Sequence, residues 1–294
     1  MIDIKNEFGK YNSIMPIQNA KINGSHFSYR YYKNLHPEND VTLVFLAGGT
    51  GLADGVFLLC SSFISKYSLL TFNYPLAFNT NAKLADALAE LLCQLDAHNV
   101  YLIGQSYGGL FSQVMAKRHP KLVKGLILSG TCSMYNDLTY NGITNIVKFI
   151  NPKKLKKNLM IDKFIPTKLL IPFLKLAFKK VAPNKEIEHK LASIADILKG
   201  SITKKYWYHM DLLIGDLMNE YGTHKPEDFE SFYNEVMIIF SEEDTIFSDE
   251  LKDALIRLMP HPTVISNMEG GHLALLINPE EYTDNIISFI SERN

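Results

Sequence analysis

The sequence predicts an α/β protein, with a mostly parallel central sheet, helices on both faces and an inserted helical segment. In the first 130 residues, short apolar runs alternate with stretches whose apolar residues have helical spacing. The alternation stops after Gly130 and resumes near residue 235. With 294 residues and 47% hydrophobic content, the chain can form one large core that carries an insertion.

The first half contains the clearest local patterns. Asn23-Gly24 separates two strand-like runs, 16–22 and 26–32, and this pair of residues predicts a tight hairpin turn. Continuous apolar runs are typical of strands buried on both faces. We therefore predict strands at 41–47, 69–74, 100–103 and 122–128, and helices at 82–95 and 110–118.

The second half begins with a long segment that lacks a clear buried strand. Pro152, Pro166, Pro172 and Pro183 interrupt it, and its apolar spacing is helical. After it, the patterns predict a strand at 235–240, a helix at 249–258, a strand at 263–266 and a helix at 279–290. We therefore expect a core formed by 1–132 and 231–294, with 133–230 inserted as a helical cap, or lid.

Composition excludes several classes of function. A net charge of −1 gives no general attraction to nucleic acid. The three cysteines, Cys60, Cys93 and Cys132, are too few and too far apart for a disulfide framework or a zinc site. Since no signal-peptide pattern or long apolar run is present, we expect a cytoplasmic protein. We also expect no metal and no cofactor.

A serine between glycines follows the predicted strand at 100–103. The motif Gly104-Gln105-Ser106-Tyr107-Gly108 joins this strand to the next predicted helix. Such a strand–turn–helix presents a serine hydroxyl above a sheet, and side chains at positions 104 and 108 would collide with neighbouring elements. We predict that Ser106 is a nucleophile; the alternative is an ordinary glycine-rich connection with an incidental serine.

A nucleophilic serine needs a base, and His272 has the most suitable position. It follows Gly270-Gly271 in the loop between the last predicted strand and the last helix. The other eight histidines are predicted to have surface or capping roles: His26, His36, His98, His119, His189, His209, His224 and His261.

The acid that orients the base is predicted to be Asp244, just after the strand at 235–240. Thr245-Ile246-Phe247 continue from it as an apolar turn. Glu242 is expected to be a solvated acid, Glu243 is a neighbouring alternative, and Asp137 after an earlier strand is the second choice.

Two backbone N–H groups are needed to stabilise an oxyanion, and Tyr107 supplies the first candidate. The second is Gly49, with Thr50 next, in the loop Ala47-Gly48-Gly49-Thr50-Gly51 after the strand at 41–47. A dinucleotide-binding loop is the rival interpretation of this segment. It fails because Asp54 occupies the third glycine position and no acid follows the next strand.

Together these residues resemble the α/β-hydrolase superfamily, in particular its lid-bearing serine hydrolases. The GQSYGG and AGGTG motifs are most similar to the branch that contains esterases and proline iminopeptidases, whose oxyanion loop often has the pattern H-G-G-P-G. Ala47 and Thr50 depart from that pattern, which weakens the assignment to a branch more than the assignment of catalysis. The resemblance implies the α/β-hydrolase fold and acyl transfer to water through an acyl-enzyme.

The segment 148–185 is strongly basic. It contains eleven lysines and one acid, Asp162, so it carries +10 while the rest of the chain carries about −11. One explanation is a lid whose apolar face covers the site and whose lysines are solvated. The other is a lid that contacts anionic lipid or guides an anionic substrate.

We therefore predict a serine hydrolase that cleaves carboxylic esters of small or medium acyl groups. The alternatives are a thioesterase, an aminopeptidase of the proline iminopeptidase type, and a non-catalytic homologue that binds a small ligand. An aminopeptidase needs lid carboxylates to hold a free amine, and Glu186, Glu188, Asp211 and Asp216 are available. The aromatic residues Tyr206, Trp207 and Tyr208, with Met210, have two interpretations: they line the acyl pocket from the lid, or they belong to the core. Such clusters are more often core, so we assign them no role in the site.

Overall fold

The computed structural model describes residues 3–35, 40–137 and 166–293. Within them, eight strands form one sheet in the order β1-β2-β4-β3-β5-β6-β7-β8. The strands are β1 (Ile17–Ile22), β2 (Ser25–Tyr32), β3 (Thr42–Leu46), β4 (Ser68–Thr71), β5 (Val100–Gln105), β6 (Val123–Ser129), β7 (Val236–Ile239) and β8 (Thr263–Ile265). The pairs β1–β2 and β2–β4 are antiparallel and the others are parallel, which confirms the mostly parallel sheet.

Ten α-helices accompany the sheet in the described residues. They are α1 (Ile4–Ile14), α2 (Phe57–Phe63), α3 (Asn81–Gln94), α4 (Tyr107–Arg118), α5 (Leu170–Val181), α6 (Lys185–Leu198), α7 (Lys204–Asp216), α8 (Asp249–Leu258), α9 (Ala274–Ile277) and α10 (Pro279–Ser291). The predicted helices 82–95, 110–118, 249–258 and 279–290 correspond to α3, α4, α8 and α10. Helices α1 and α2 were not predicted; within α1, only Ile4 and Tyr11 are fully buried.

The hairpin turn is confirmed, because Asn23 and Gly24 both have positive φ angles of 48° and 77°. The largest differences from the predicted bounds, three residues each, are at the end of β4 and at the start of α4. Strand β4 ends at Thr71, so the apolar residues that follow it leave the sheet while staying buried. Helix α4 begins at Tyr107, three residues earlier than predicted. The prediction left out its first turn because Gly108 and Gly109, which lie in that turn, are poor helix formers.

The direction in which successive strands are added to the sheet reverses between β3 and β5. The chain moves outward from β3 to β4, then returns to the other side of β3 with β5. Leu46 at the end of β3 is paired with Gly104 near the end of β5. The loops that follow both strands therefore open into the same crevice, the position where parallel sheets bind their ligands.

Between β6 and β7, the described residues form the helices α5, α6 and α7. Beyond these helices, the only β-structure described there is an isolated bridge between Tyr135 and His224. The most lysine-dense stretch of the predicted lid, 153–163, lies outside the described residues. No helix in the described ranges is both long and apolar enough to cross a membrane.

Helix α7 is anchored to the core through α3. The Asn81 backbone N–H donates to Asp216 Oδ2 at 2.7 Å, and the Asn81 Nδ2 donates to the Leu213 carbonyl at 2.9 Å.

Two histidines between β6 and β7 correct the prediction of surface roles, since His209 and His224 are buried. Each has a ring nitrogen without a hydrogen-bond partner in the described structure, and His224 is packed against the Phe229 ring.

Candidate active site

Ser106 lies at the turn between β5 and α4. Its φ and ψ angles are 54° and −117°, a conformation that non-glycine residues rarely adopt. The backbone around it is fixed by the adjacent strand: Ser106 N–H donates to the Ser129 carbonyl at 2.9 Å, and the Thr131 hydroxyl donates to the Ser106 carbonyl at 2.8 Å. The strained turn is thus held by β6 and the residues that follow it.

The glycines of the turn allow β5, α4 and β3 to approach closely. A Cβ atom at Gly108 would overlap the backbone of Leu46, and one at Gly104 would overlap the Gly108 carbonyl and the Ser112 hydroxyl. These overlaps confirm the collisions that the motif predicts. Because these two glycines have no side chains, the end of β3 and the start of α4 can both lie close to Ser106.

The predicted base and acid are in contact. His272 Nδ1 lies 2.8 Å from Asp244 Oδ2, and both side chains are largely buried. Asp244 Oδ1 accepts the Ile246 N–H at 3.0 Å, which turns the carboxylate towards the histidine. The Gly271 N–H donates to the Ser241 hydroxyl at 3.1 Å and so ties the His272 loop to the Asp244 loop.

The environment of Asp244 favours its charged form. Burial alone would raise the pKa of this carboxyl group, but the hydrogen bond and charge of His272 lower it, with help from the Ile246 N–H and Lys252. The net effect holds the Asp244 pKa below its ordinary value. Asp244 is therefore suited to orient an imidazole and to stabilise the imidazolium ion.

The alternative acids have other surroundings. Asp137 Oδ2 accepts a hydrogen bond from Arg257 Nε at 2.6 Å, and both side chains are about half exposed. Glu242 is exposed and Glu243 is exposed beside Gly271. Among the candidates, Asp244 is the one in contact with His272.

Within the described part of the chain, the two candidate oxyanion amides have no protein acceptor. Neither the Tyr107 N–H nor the Gly49 N–H makes a hydrogen bond within the described residues. Tyr107 is the first residue of α4, so its amide also lies at the positive end of the helix dipole. The free donors and the dipole suit the stabilisation of negative charge near Ser106.

Ser106 and His272 line one cavity of about 440 Å³, together with Gly49 and Thr50. Its other walls are mainly apolar and come from the core and from α5, α6 and α7; they include Leu46, Val56, Leu59, Leu174, Phe178, Ile194, Leu198 and Trp207. A larger cavity of about 510 Å³ beside Arg30 is not lined by any of the predicted site residues. We therefore take the smaller cavity as the candidate active site.

Three residues at this site were not predicted from the sequence. Gln105 Nε2 donates to the His272 carbonyl at 3.0 Å, while its Oε1 occupies the space that a Cβ at Gly48 would fill. Gly130, with φ of 49°, gives room to the Asp244–His272 hydrogen bond, since a Cβ there would lie 3.3 Å from Asp244 Oδ2 and 3.4 Å from His272 Nδ1. For Gly130, the signal in the sequence was a glycine immediately after β6.

Tyr206 is the third unpredicted residue, and it corrects the expectation of a purely core role. Its hydroxyl donates to the Gly51 carbonyl at 2.5 Å and accepts the Tyr74 N–H at 3.1 Å. The oxyanion loop is thereby attached to α7. Trp207, on the same helix, lines the cavity.

The geometry also bears on metals and cofactors. No group of three or more His, Cys, Asp or Glu side chains in the described ranges is arranged to hold a metal ion. Cys60 and Cys132 are buried, and burial raises the pKa of both thiols, which makes them poor thiolate nucleophiles.

Comparison with known proteins gives the same fold. A family model described as alpha/beta hydrolase fold matches residues 59–151. A meta-cleavage product hydrolase from Pseudomonas fluorescens IP01 superposes with a TM-score of 0.70 at 15% identity, covering 96% of this chain and 100% of that one. No curated protein sequence matches this chain.

Two further solved structures are similar. An esterase from Exiguobacterium antarcticum has a TM-score of 0.67 at 15% identity and covers 93% of this chain and 99% of its own. A putative lipase from Acinetobacter baumannii has a TM-score of 0.64 at 14% identity, with coverages of 99% and 97%. The chain is an α/β-hydrolase-fold protein, as the fold class and the resemblance predicted.

Proposed function

We propose that this protein is a serine hydrolase that cleaves carboxylic esters of small or medium acyl groups through an acyl-enzyme. The observation that carries the proposal is the hydrogen bond between His272 and the buried Asp244, beside the strained turn of Ser106 in one cavity. The chain order of serine, acid and histidine agrees with this fold. The esterase and lipase among the similar structures support the same reaction class.

In the proposed first half-reaction, His272 Nε2 removes the proton of the Ser106 hydroxyl while Ser106 Oγ attacks the ester carbonyl. Asp244 holds the imidazole by its Nδ1 and stabilises the imidazolium ion that forms. The carbonyl oxygen becomes an oxyanion that accepts hydrogen bonds from the Tyr107 and Gly49 N–H groups. When the tetrahedral intermediate collapses, the C–O bond breaks and His272 gives the proton to the leaving alcohol.

In the second half-reaction, water attacks the acyl-enzyme carbonyl and His272 accepts the proton of that water. The same two amides hold the second oxyanion. Its collapse breaks the bond to Ser106 Oγ, which recovers its proton from His272, and the carboxylic acid is released. No cofactor takes part in this cycle.

The cavity supports an uncharged acyl group. Among the described residues, its lining contains apolar side chains and a few neutral polar ones, and His272 is the one ionisable base. We propose that residues 133–230 form a cap whose helices α5, α6 and α7 close this pocket over the core. The apolar walls favour acyl chains through burial of about 25 cal/mol per Å² of apolar area.

The aminopeptidase alternative has less support, because the candidate lid carboxylates do not line the cavity. Asp216 accepts hydrogen bonds from the Asn81 backbone and side chain. Glu188 forms an ion pair with Lys185 at 2.8 Å. A free amine in the pocket would thus lack an acidic partner among the residues that the structure describes, and its burial would be costly.

Activity measurements test the proposal directly. A panel of p-nitrophenyl esters of increasing acyl length is assayed beside aminoacyl-nitroanilides. We expect ester hydrolysis, and a loss of roughly three orders of magnitude or more in Ser106→Ala and in His272→Ala. Ser13→Ala and His26→Ala change exposed residues outside the site and are expected to retain activity.

Fluorophosphonate labelling separates an enzyme from a non-catalytic binder. The wild type is expected to form one adduct on Ser106, and Ser106→Ala is expected to form none. A correctly folded wild type that stays unlabelled would support the ligand-binding alternative. Retention of most activity in either Ser106→Ala or His272→Ala would disprove the assignment of nucleophile and base.

A further inference from the structure

Helix α5 has two apolar faces, and one of them is exposed. Leu170, Leu174 and Phe178 are buried, and the last two line the candidate active site. On the other side, Leu169, Phe173 and Leu176 are 40%, 54% and 51% exposed. Their spacing of i, i+4 and i+7 places them on one face of the helix, and we call these three residues the outer stripe.

Lysines lie at both ends of the outer stripe. Lys168 precedes it, and Lys179 and Lys180 follow it, so that Lys180 continues the stripe one turn beyond Leu176. All three are exposed. The segment 168–181, which contains α5, has four lysines and no acid.

Part of this positive charge is balanced by α6. Lys175 lies 2.7 Å from Asp196, and Lys179 lies 3.6 Å from Glu188. Within the described part of the chain, Lys168 and Lys180 form no ion pair. The lysines that border the outer stripe therefore carry a net positive charge. The adjoining sequence 148–167 adds six lysines against one acid.

We propose that the outer stripe docks on the surface of an anionic lipid bilayer. Exposed Leu and Phe side chains lie at the level of the acyl boundary, and lysines at the ends reach the phosphate groups, as in helices that lie in the membrane plane. A second copy of the chain is a poorer occupant, because the lysines bordering the two stripes would repel each other. The docked helix would also bring the wall of the active-site cavity to the lipid surface.

Vesicle sedimentation tests the docking independently of catalysis. Ser106→Ala protein is mixed with vesicles of phosphatidylcholine alone, or with roughly a third phosphatidylglycerol. We expect binding to the anionic vesicles at least about tenfold stronger than to the neutral ones, with weakening as salt is raised. Equal binding to both, or binding to neither, would overturn the proposal.

Two variants locate the surface. Phe173→Ser/Leu176→Ser removes the apolar contact and is expected to weaken binding by roughly tenfold or more. Lys179→Gln/Lys180→Gln is expected to weaken it roughly fivefold for each lysine and to reduce its salt dependence. The second variant keeps the test decisive if the first one misfolds, since both lysines are exposed.

The matched control is Ile17→Ser/Leu35→Ser, which removes two side chains that are 62% and 84% exposed elsewhere on the molecule. It should bind anionic vesicles like the parent protein. If the control loses binding as the stripe variant does, the effect is not specific to α5. If the parent protein is a dimer in solution and the stripe variant a monomer, the stripe is instead an interface between copies.

Discussion

Gln105 connects two loops that converge on the nucleophile. Its Nε2 holds the His272 carbonyl at 3.0 Å, and its Oε1 lies against Gly48 of the oxyanion loop. The motif gave this position no role, because the second residue of G-x-S-x-G is variable by definition. Its contacts with His272 and Gly48 arise from chain segments far apart in sequence, which explains why local patterns could not reveal them.

We expect Gln105→Leu to lower kcat by roughly fivefold with little change in KM, because one hydrogen bond that positions the His272 backbone is lost. Esterase kinetics measure both constants. Gln94→Leu, which removes an exposed glutamine on α3, is the matched control and should leave kcat unchanged. A selective rise in KM in Gln105→Leu would assign the residue to substrate binding.

Asp244 gives a prediction for pH. Since its pKa in the folded protein lies below the ordinary 3.8, the unfolded chain binds the proton more readily than the folded one. The stabilisation is therefore complete above pH 3.8 and is lost as the pH falls through the lower folded value. We expect the gap in unfolding free energy between the wild type and Asp244→Asn to shrink as pH is lowered from about 6 to about 3.

Urea unfolding at a series of pH values measures this gap. Asp249→Asn is the control, because the Asp249 side chain is 95% exposed. A gap that stays constant or widens on acidification would show that the His272 contact does not lower the Asp244 pKa.

At the scale of elements, the predictions that succeeded rest on strong local patterns. Strand β3 is buried at every position and follows a continuous apolar run, and α8 begins and ends where its pattern predicted. Helix α1 was not predicted, and the polar contacts of its Tyr11 come from residues distant in the sequence. The Tyr11 hydroxyl lies 2.9 Å from the Thr71 hydroxyl, and the Arg30 guanidinium lies 4.9 Å from the Tyr11 ring centre.

Helix α7 supports the oxyanion loop through Tyr206. Gly51 has φ of 65°, and a Cβ there would overlap the Tyr206 hydroxyl and the Met210 sulfur, so the loop is packed tightly on this helix. We expect Tyr206→Phe to lower kcat by roughly tenfold while KM stays nearly constant, because the Gly49 amide loses part of its preorganisation.

The matched control is Tyr208→Phe on the same helix, where the side chain is 38% exposed. A trifluoromethyl ketone, which forms an oxyanion on Ser106, provides a second measurement. Its affinity should fall in parallel with kcat in Tyr206→Phe. If kcat falls and the ketone binds as in the wild type, Tyr206 does not act through the oxyanion site.

At the scale of the whole molecule, the core and the insertion meet at the candidate site. The sequence assigned residues in the loops after β3, β5, β7 and β8 to one site, and these loops meet because parallel strands place their carboxyl ends at one edge of the sheet. It could not predict which faces of α5, α6 and α7 would line the cavity. Both faces of α5 carry leucines and a phenylalanine, so only tertiary packing distinguishes the buried Leu174 from the exposed Leu176.

This division of α5 leads to a prediction about acyl length. Leu174→Trp places a larger side chain in the cavity and should shorten the acyl chain that fits. We expect kcat/KM for octanoate esters to fall by roughly tenfold or more, while acetate esters change by less than about threefold, since overpacking acts on the groups that occupy the lost volume. Leu176→Trp on the exposed face is the matched control. Equal losses for acetate and octanoate would place Leu174 away from the acyl chain, and the pocket would then require a different occupant.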